Sequence, residues 1–534
     1  MNTTTRDRCG ETTPRVRMPP SVVGHALNYF EVFQRNLGPL ATRRALKNLW
    51  KLSARRSQGR GSKSSGFSVF IAGLVVGLIT VLGGAALAAD RADDPRPNIL
   101  LIVSDDQGYH DLGCFGNDEI KTPHLDRLAA GGVRLTSFYV SWPACTPSRG
   151  SLLTGRYPQR NGLYDMIRND RVDDGHLYSP EEYAVSPERV LGMDVREVMI
   201  SDVLRAAGYV NGCYGKWDGG QLKRYLPLQR GFDEFYGFCN TGIDYFTHER
   251  YGVPSMFRDN EPTTEDKRTD CTYLFQLEAA KFIKQHHDRP FFLYVPFNAP
   301  HGASNLDRDI RGTVQAPRKY LDMYPAGTTK REEHRRSYMA AVTCMDDAIG
   351  ELLDLLDEYK IADNTLVIFL SDNGGSGIAD NTTLRGKKST MWAGDLRVPC
   401  LVRWPNRLPA GKTSDQFLTS LEIFPTILAA TGAKHNEEIV LDGFDMLPIL
   451  KDVRASPRKE MFWQRRSLRA ARVGDWKWVD VAGQQSLFDL SEDVSEQHNL
   501  AKQRPDMLKQ MQAHFARWRS QMDAAEPRGP FRDY

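Results

Sequence analysis

Residues 97–108 read Pro-Asn-Ile-Leu-Leu-Ile-Val-Ser-Asp-Asp-Gln-Gly. An unbroken apolar run that ends in polar turn residues is the pattern of a strand buried on both faces of a parallel sheet. Asp105 and Asp106 follow it directly. In an open α/β sheet the carboxyl ends of the strands form the ligand crevice, so two carboxylates there are more than turn residues. Runs of the same kind at 133–139, 209–214, 291–297, 366–371 and 398–404 alternate with helical patterns at 123–130, 148–156, 200–207, 273–286, 338–359 and 421–430. This alternation predicts an α/β body: a large mixed, mostly parallel sheet sandwiched by helices. After Pro457 the pattern changes to short segments at 461–465, 470–473, 476–479 and 486–490. A helix at 506–522 then carries Leu508, Met511, His514, Phe515 and Trp518 at helical spacing. That predicts a small C-terminal α+β subdomain with a short antiparallel sheet, dividing the chain into 96–455 and 456–534.

Ahead of this body, residues 1–66 hold 13 Lys/Arg against 3 Asp/Glu, and 67–89 carry no charge. The uncharged stretch follows a basic segment and ends in Ala86-Leu87-Ala88, a small-x-small site. It reads as a secretory signal cleaved near Ala88/Ala89, which implies a periplasmic or secreted protein. The alternative is an uncleaved membrane anchor, since 23 uncharged residues are enough to span a bilayer. The basic leader reads as disordered, or the true start lies further downstream. From residue 90 onward the chain holds 57 basic and 64 acidic residues, a mildly acidic balance with no basic run suited to nucleic acid. The eight cysteines are scattered and form no C-x-x-C pair, which argues against a zinc site or a disulfide scaffold.

A second strand, 366–371, also runs into polar ligands: Ser371-Asp372-Asn373-Gly374-Gly375. Two strands that each deliver a pair of oxygen ligands make a site for a hard divalent cation, Ca²⁺ or Mg²⁺. Cys145-Thr146-Pro147-Ser148-Arg149 opens a helical pattern. Pro147 suits its first turn, which puts Cys145 near a helix N-terminus, where free N–H groups favour an anion. Arg149 offers a fork of donors. Lys216 and His301 sit just past strand ends, in Gly215-Lys216-Trp217 and Asn298-Ala299-Pro300-His301. His248 lies in Asp244-Tyr245-Phe246-Thr247-His248, and Lys388 in Leu384-Arg385-Gly386-Lys387-Lys388. Together these groups suit an SO₃ or PO₃ group and the charge that develops on its oxygens and leaving group.

The ordered blocks PNILLIVSDDQGYHDLG, CTPSRGSLLTGRYPQRNG, GKW, RGFDEFYGF, DYFTHER, PFFLYVPFNAPHG, VIFLSDNGG, LRGKKST, RVP and SLFDLSEDVSEQHNLA resemble the type I, formylglycine-dependent sulfatases over residues 96–523. DYFTHER after RGFDEFYGF looks closest to the arylsulfatase B-like branch. The resemblance implies an alkaline-phosphatase-like fold and hydrolysis of a sulfate ester of an aryl alcohol or a carbohydrate. It implies that a maturation enzyme oxidises Cys145 to formylglycine. It further implies that Asp105, Asp106, Asp372, Asn373 and the residue at 145 hold a cation, usually calcium. Arg149, Lys216, His248, His301 and Lys388 would contact the sulfate or the aldehyde hydrate, with His301 or Lys388 protonating the departing oxygen. In the family the attacking oxygen belongs to a geminal diol, whose second hydroxyl drives sulfate release.

One position departs from the family pattern. Where G-K-W-H is usual, this chain has Gly215-Lys216-Trp217-Asp218. The histidine is held to accept the proton of the second hydroxyl, and a carboxylate at Asp218 is expected to take over that role. Two alternatives share parts of the pattern. One is a phosphate or phosphonate ester hydrolase of the same fold, and the other is a non-catalytic relative that binds sulfated glycans. The long polar loops 163–198 and 302–335 carry no readable sugar motif.

Overall fold

The computed structural model describes residues 95–167, 192–526 and 528. The leader, the 67–89 segment and most of loop 163–198 lie outside them. Among the described residues no helix is long and apolar enough to cross a membrane.

Five parallel strands form the centre of a ten-stranded sheet. They are β1 (Asn98–Ser104), β2 (Val210–Lys216), β3 (Glu234–Phe238), β4 (Phe291–Pro296) and β5 (Thr365–Ser371), in the spatial order β5-β1-β4-β2-β3. Antiparallel strands flank them on both sides: Cys400–Arg403 pairs with β5, and Met256–Arg258 with β3. The sheet is therefore mixed with a parallel centre. Every residue of β1 is buried, because alternate side chains enter different cores. Leu100 and Ile102 join the layer of the long helices, whereas Ile99, Leu101 and Val103 join the opposite layer.

The helices that bear on the site are α1 (Pro123–Ala130), α2 (Cys145–Thr154), α3 (Cys271–His286) and α4 (Lys330–Glu358). α4 begins eight residues before the predicted start. Thr329 and Glu332 form a capping box there, which satisfies orphan N–H groups ahead of the apolar stripe. α2 begins at Cys145, three residues before the segment predicted, and is buried on every side. The apolar run 133–139 divides into Val133–Leu135 in the main sheet and Phe138–Tyr139 paired with Leu418–Thr419. The short strands Met256–Arg258, beside β3, and Glu261–Thr263, at the sheet edge, were not expected, since three residues carry no readable alternation.

The C-terminal part is a four-stranded antiparallel meander, β6 (Glu460–Arg465), β7 (Leu468–Val473), β8 (Trp476–Val481) and β9 (Gln484–Asp489), covered by α5 (Pro505–Ala524). Met511, Phe515, Trp518 and Met522 supply the buried stripe of α5. Trp518 stacks on Phe462 with centroids 5.4 Å apart. His514 is instead turned toward Glu460, 2.9 Å away. Tyr139, Tyr157, Met391 and Leu396, from the larger body, belong to the same apolar cluster.

Candidate active site

β1 and β5 run side by side with Ser104 opposite Ser371, so Asp105 and Asp372 leave the sheet together. The Asp106 N–H donates to Asp372 Oδ1 at 3.2 Å. Asp106 has φ +64, a left-handed conformation that Asp tolerates and that turns the chain sharply after the strand. β2 ends in Lys216, beside β4. Gly215 makes that approach possible, since a Cβ there would lie 2.0 Å from the Pro296 carbonyl oxygen. His301 follows β4, and α2 delivers Cys145 from its first turn and Arg149 one turn later.

These side chains converge. Ligand atoms of Asp105, Asp106, Cys145 and Asp372 lie within 4.8 Å of one another, and those of Asp105, Cys145 and His301 do likewise. Cys145 Sγ is 3.3 Å from Asp105 Oδ1 and 3.9 Å from Asp106 Oδ1. Lys388 Nζ is 3.1 Å from Cys145 Sγ and 2.6 Å from Asp106 Oδ1. Lys216 Nζ donates to Asp105 Oδ2 at 2.7 Å, and Arg149 Nε to Asp372 Oδ2 at 2.8 Å. Asn373 Nδ2 donates to Asp106 Oδ1 at 2.8 Å. His301 Nδ1 lies 2.7 Å from the Gly302 carbonyl, and its Nε2 faces Asp106 Oδ2 at 3.8 Å. With Nδ1–H donated to that carbonyl, Nε2 carries the lone pair.

The electrostatics follow from burial and alternating charge. Burial would raise Asp106, yet the Lys388 ammonium and His301 hold it well below the usual carboxylate range. Burial would lower Lys216 and Lys388, but Asp105 and Asp106 keep both ammonium groups firmly protonated. Burial pushes His301 down to about 3, with Lys388 and Lys216 adding to the shift against Asp106, so the imidazole is neutral. The Cys145 thiol is pushed well up by burial and Asp105, so it is no thiolate. Asp218 is raised to about 6 by burial, offset in part by Lys216 and Arg149. It accepts a hydrogen bond from Thr146 Oγ1 at 2.8 Å and has Oδ2 3.6 Å from Lys216 Nζ.

Four oxygen-bearing side chains and no clustered imidazoles suit a hard cation rather than zinc. The buried Asn373 Oδ1 accepts no hydrogen bond among the described residues, as a group reserved for a cation would. The donor set fits Ca²⁺ or Mg²⁺. His124, Asp346 and Asp347 form another acidic group elsewhere. There Asp346 is engaged in accepting from the His124 and Leu125 N–H groups at the start of α1.

Of the residues singled out in the sequence, His248 does not join the cluster. Its Nε2 is 2.8 Å from the Thr269 carbonyl, and its backbone bonds tie Asp244 to Ser255. The DYFTH segment thus builds a loop rather than reaching into the crevice. Ser376 and Thr146 were missed: Ser376 Oγ donates to Asp106 Oδ2 at 2.9 Å, and Thr146 holds Asp218. Thr146 lies inside a quoted motif and Ser376 directly follows one, but a hydroxyl carries no charge pattern to single it out.

A buried array of carboxylates and cations around a helix N-terminus, on an alkaline-phosphatase-like sheet, defines an ester hydrolase of that architecture. Residues 97–433 match the sulfatase family, and residues 386–521 match the N-sulphoglucosamine sulphohydrolase C-terminal family. The chain belongs to the sulfatase family. It is 34% identical over 420 residues to the N-acetylgalactosamine-6-sulfatase of Canis lupus familiaris, covering 75% of this chain and 74% of that protein. It is 31% identical over 510 residues to the arylsulfatase A of Homo sapiens, covering 83% and 92%. The solved structure of Ps i-CgsB in complex with k-i-k-neocarrahexaose superposes with a TM-score of 0.69 at 31% identity, covering 79% of this chain and 92% of that one.

Proposed function

We propose that this sulfatase hydrolyses a sulfate ester on a sulfated carbohydrate, with Cys145 converted to formylglycine by a maturation enzyme and a divalent cation, Ca²⁺ or Mg²⁺, held by Asp105, Asp106, Asp372, Asn373 and residue 145. The observation that carries this reading is the position of Cys145, in the first turn of α2 with its Sγ between Asp105 and Lys388. The carbohydrate class is supported by relatives acting on or binding sugars by name. The uncharged segment 67–89 supports an extracytoplasmic setting.

Formylglycine, when present, supplies a self-renewing oxygen nucleophile, and the cation supplies positive charge that activates that oxygen and offsets the charge of sulfate. The remaining work falls to this chain's own side chains. A cysteine thiol held protonated by burial and Asp105 is a poor nucleophile, which accords with its conversion to another group. Arg149 is clamped by Asp372 and stays charged in the crevice beside Asp105. Lys216, anchored on Asp105, stays charged and offers N–H donors to sulfate oxygens. Lys388 is the group charged throughout on the Cys145 side, and it donates to the departing oxygen. His301 is neutral before substrate binds and accepts at Nε2. Asp218, oriented by Thr146, takes up the proton that must leave the site for sulfate to be released.

The test has two parts. Mass spectrometry of the peptide spanning residue 145 is expected to detect an aldehyde in the active protein. Cys145→Ser is expected to allow at most one turnover and to accumulate a covalent sulfo-enzyme, because a serine ester has no adjacent hydroxyl to expel sulfate. Sustained turnover by that variant would sink the reading. Matched sulfate and phosphate esters of one phenol, then a panel of sulfated glycans, assign the substrate; equal phosphate turnover would overturn sulfate specificity.

A further inference from the structure

Glu496 lies in the tail block SLFDLSEDVSEQHNLA and is wholly buried. Its Oε2 accepts from the Ala393 N–H at 2.6 Å, and its backbone carbonyl accepts from Arg385 Nη1 at 2.8 Å. Its Oε1 pairs with Lys477 of β8, which is also fully buried. Arg385 and Ala393 bracket the segment that presents Lys388. That segment is closed on itself. The Gly394 N–H donates to the Arg385 carbonyl at 2.7 Å, and the Arg385 guanidinium lies 3.8 Å from the Trp392 ring centroid. Its far side is tied to the exit of β5: the Lys388 N–H donates to the Gly375 carbonyl, and the Gly374 N–H to the Asp395 carbonyl.

We infer that Glu496, held by Lys477, is a positioning residue for Lys388, so that the C-terminal sheet sets where the Lys388 ammonium stands over Cys145. A lysine has a long flexible stem, so its ammonium is placed only as well as its backbone is. A displacement on the order of 1 Å costs roughly a hundredfold in rate. A buried ion pair is a poor device for stability alone, because an apolar pair of similar shape often serves as well. Its use here fits the direction it imposes: a carboxylate with one oxygen paired to Lys477 and the other accepting a single N–H of the Lys388 segment.

The inference rests on the proposed role of Lys388, and a double-mutant cycle in the matured full-length protein separates the two. Lys477→Met/Glu496→Leu removes both charges and the acceptor for Ala393. It is expected to lower the kcat for a chromogenic aryl sulfate at least tenfold in the Lys388 protein, and less than twofold in a Lys388→Ala background. Lys477→Met/Glu496→Gln keeps an acceptor oxygen and is expected to recover most of that kcat, while Lys477→Met/Glu496→Met, closer in shape and also without the acceptor, replaces the first pair on the same expectations if that pair does not fold. An equal fall on both backgrounds overturns the inference and leaves Lys388 its role. No loss on Lys388→Ala alone removes the role of Lys388 and the inference with it.

Discussion

Asp218 stands where the family pattern has histidine, with a left-handed backbone (φ +54) and a side chain sealed from solvent. Burial raises its carboxyl to about 6, against the pull of Lys216 and Arg149. The sign of the effect is then defined: the base is present above that value and is lost as pH falls through it. Activity is expected to decline below about pH 6 with an acid limb set by Asp218. Asp218→Asn should remove that limb and lower kcat by about a hundredfold or more, the usual range for losing a general base. A pH–kcat profile of both proteins checks this; an unchanged acid limb assigns the proton to another group. The substitution is legible in the sequence, whereas the desolvation that makes a carboxylate serviceable as a base is a property of the packed site.

Among the elements, α3 shows how a helix start is set by one side chain. Asp270 caps it, with Oδ1 accepting from the Thr272 N–H at 2.8 Å. Loss of such a cap costs about 1 kcal/mol, so Asp270→Ala should lower stability by that amount in chemical denaturation. Burial also raises the Asp270 carboxyl to about 7. A raised folded-state value means that its contribution is complete below the unfolded value near 3.9 and is lost as pH rises through about 7. Asp270→Asn, neutral throughout, should therefore flatten the fall in stability between those limits. Four strands of the parallel centre were readable because burial on both faces leaves continuous apolar runs; Glu234–Phe238 was not, because Glu234 and Gly237 interrupt its apolar residues. Nor were the three-residue strands at 256–258 and 261–263, because strands this short are set by pairing with a neighbour rather than by their own composition. The start of α4 lay in a Thr-x-x-Glu signal, outside the apolar stripe that marked the helix.

Over the whole molecule, three carboxylates from two strands are balanced by Lys216, Arg149 and Lys388 from three separate segments. A cation that binds this folded arrangement and not the open chain stabilises it by about 2.7 kcal/mol at a hundredfold excess over its dissociation constant. Chelation is expected to abolish turnover and lower the unfolding temperature, with both restored by Ca²⁺ or Mg²⁺; calorimetry with and without chelator checks this. The sequence by itself determined the α/β body, the antiparallel tail and the two carboxylate-bearing strand ends. Strand burial and motif spacing are local properties, written in consecutive residues. It also marked Cys145, Arg149, Lys216, His301 and Lys388, whose motifs carry charge or a reactive atom. Only the tertiary structure decided which of these meet. It left His248 in its own loop, put Lys388 against Cys145 and Asp106, and tied that lysine's segment to Glu496 and Lys477 of the tail. Distances between residues hundreds of positions apart depend on the register of a sheet and on which charges must be buried together, and neither is written in any one stretch of chain.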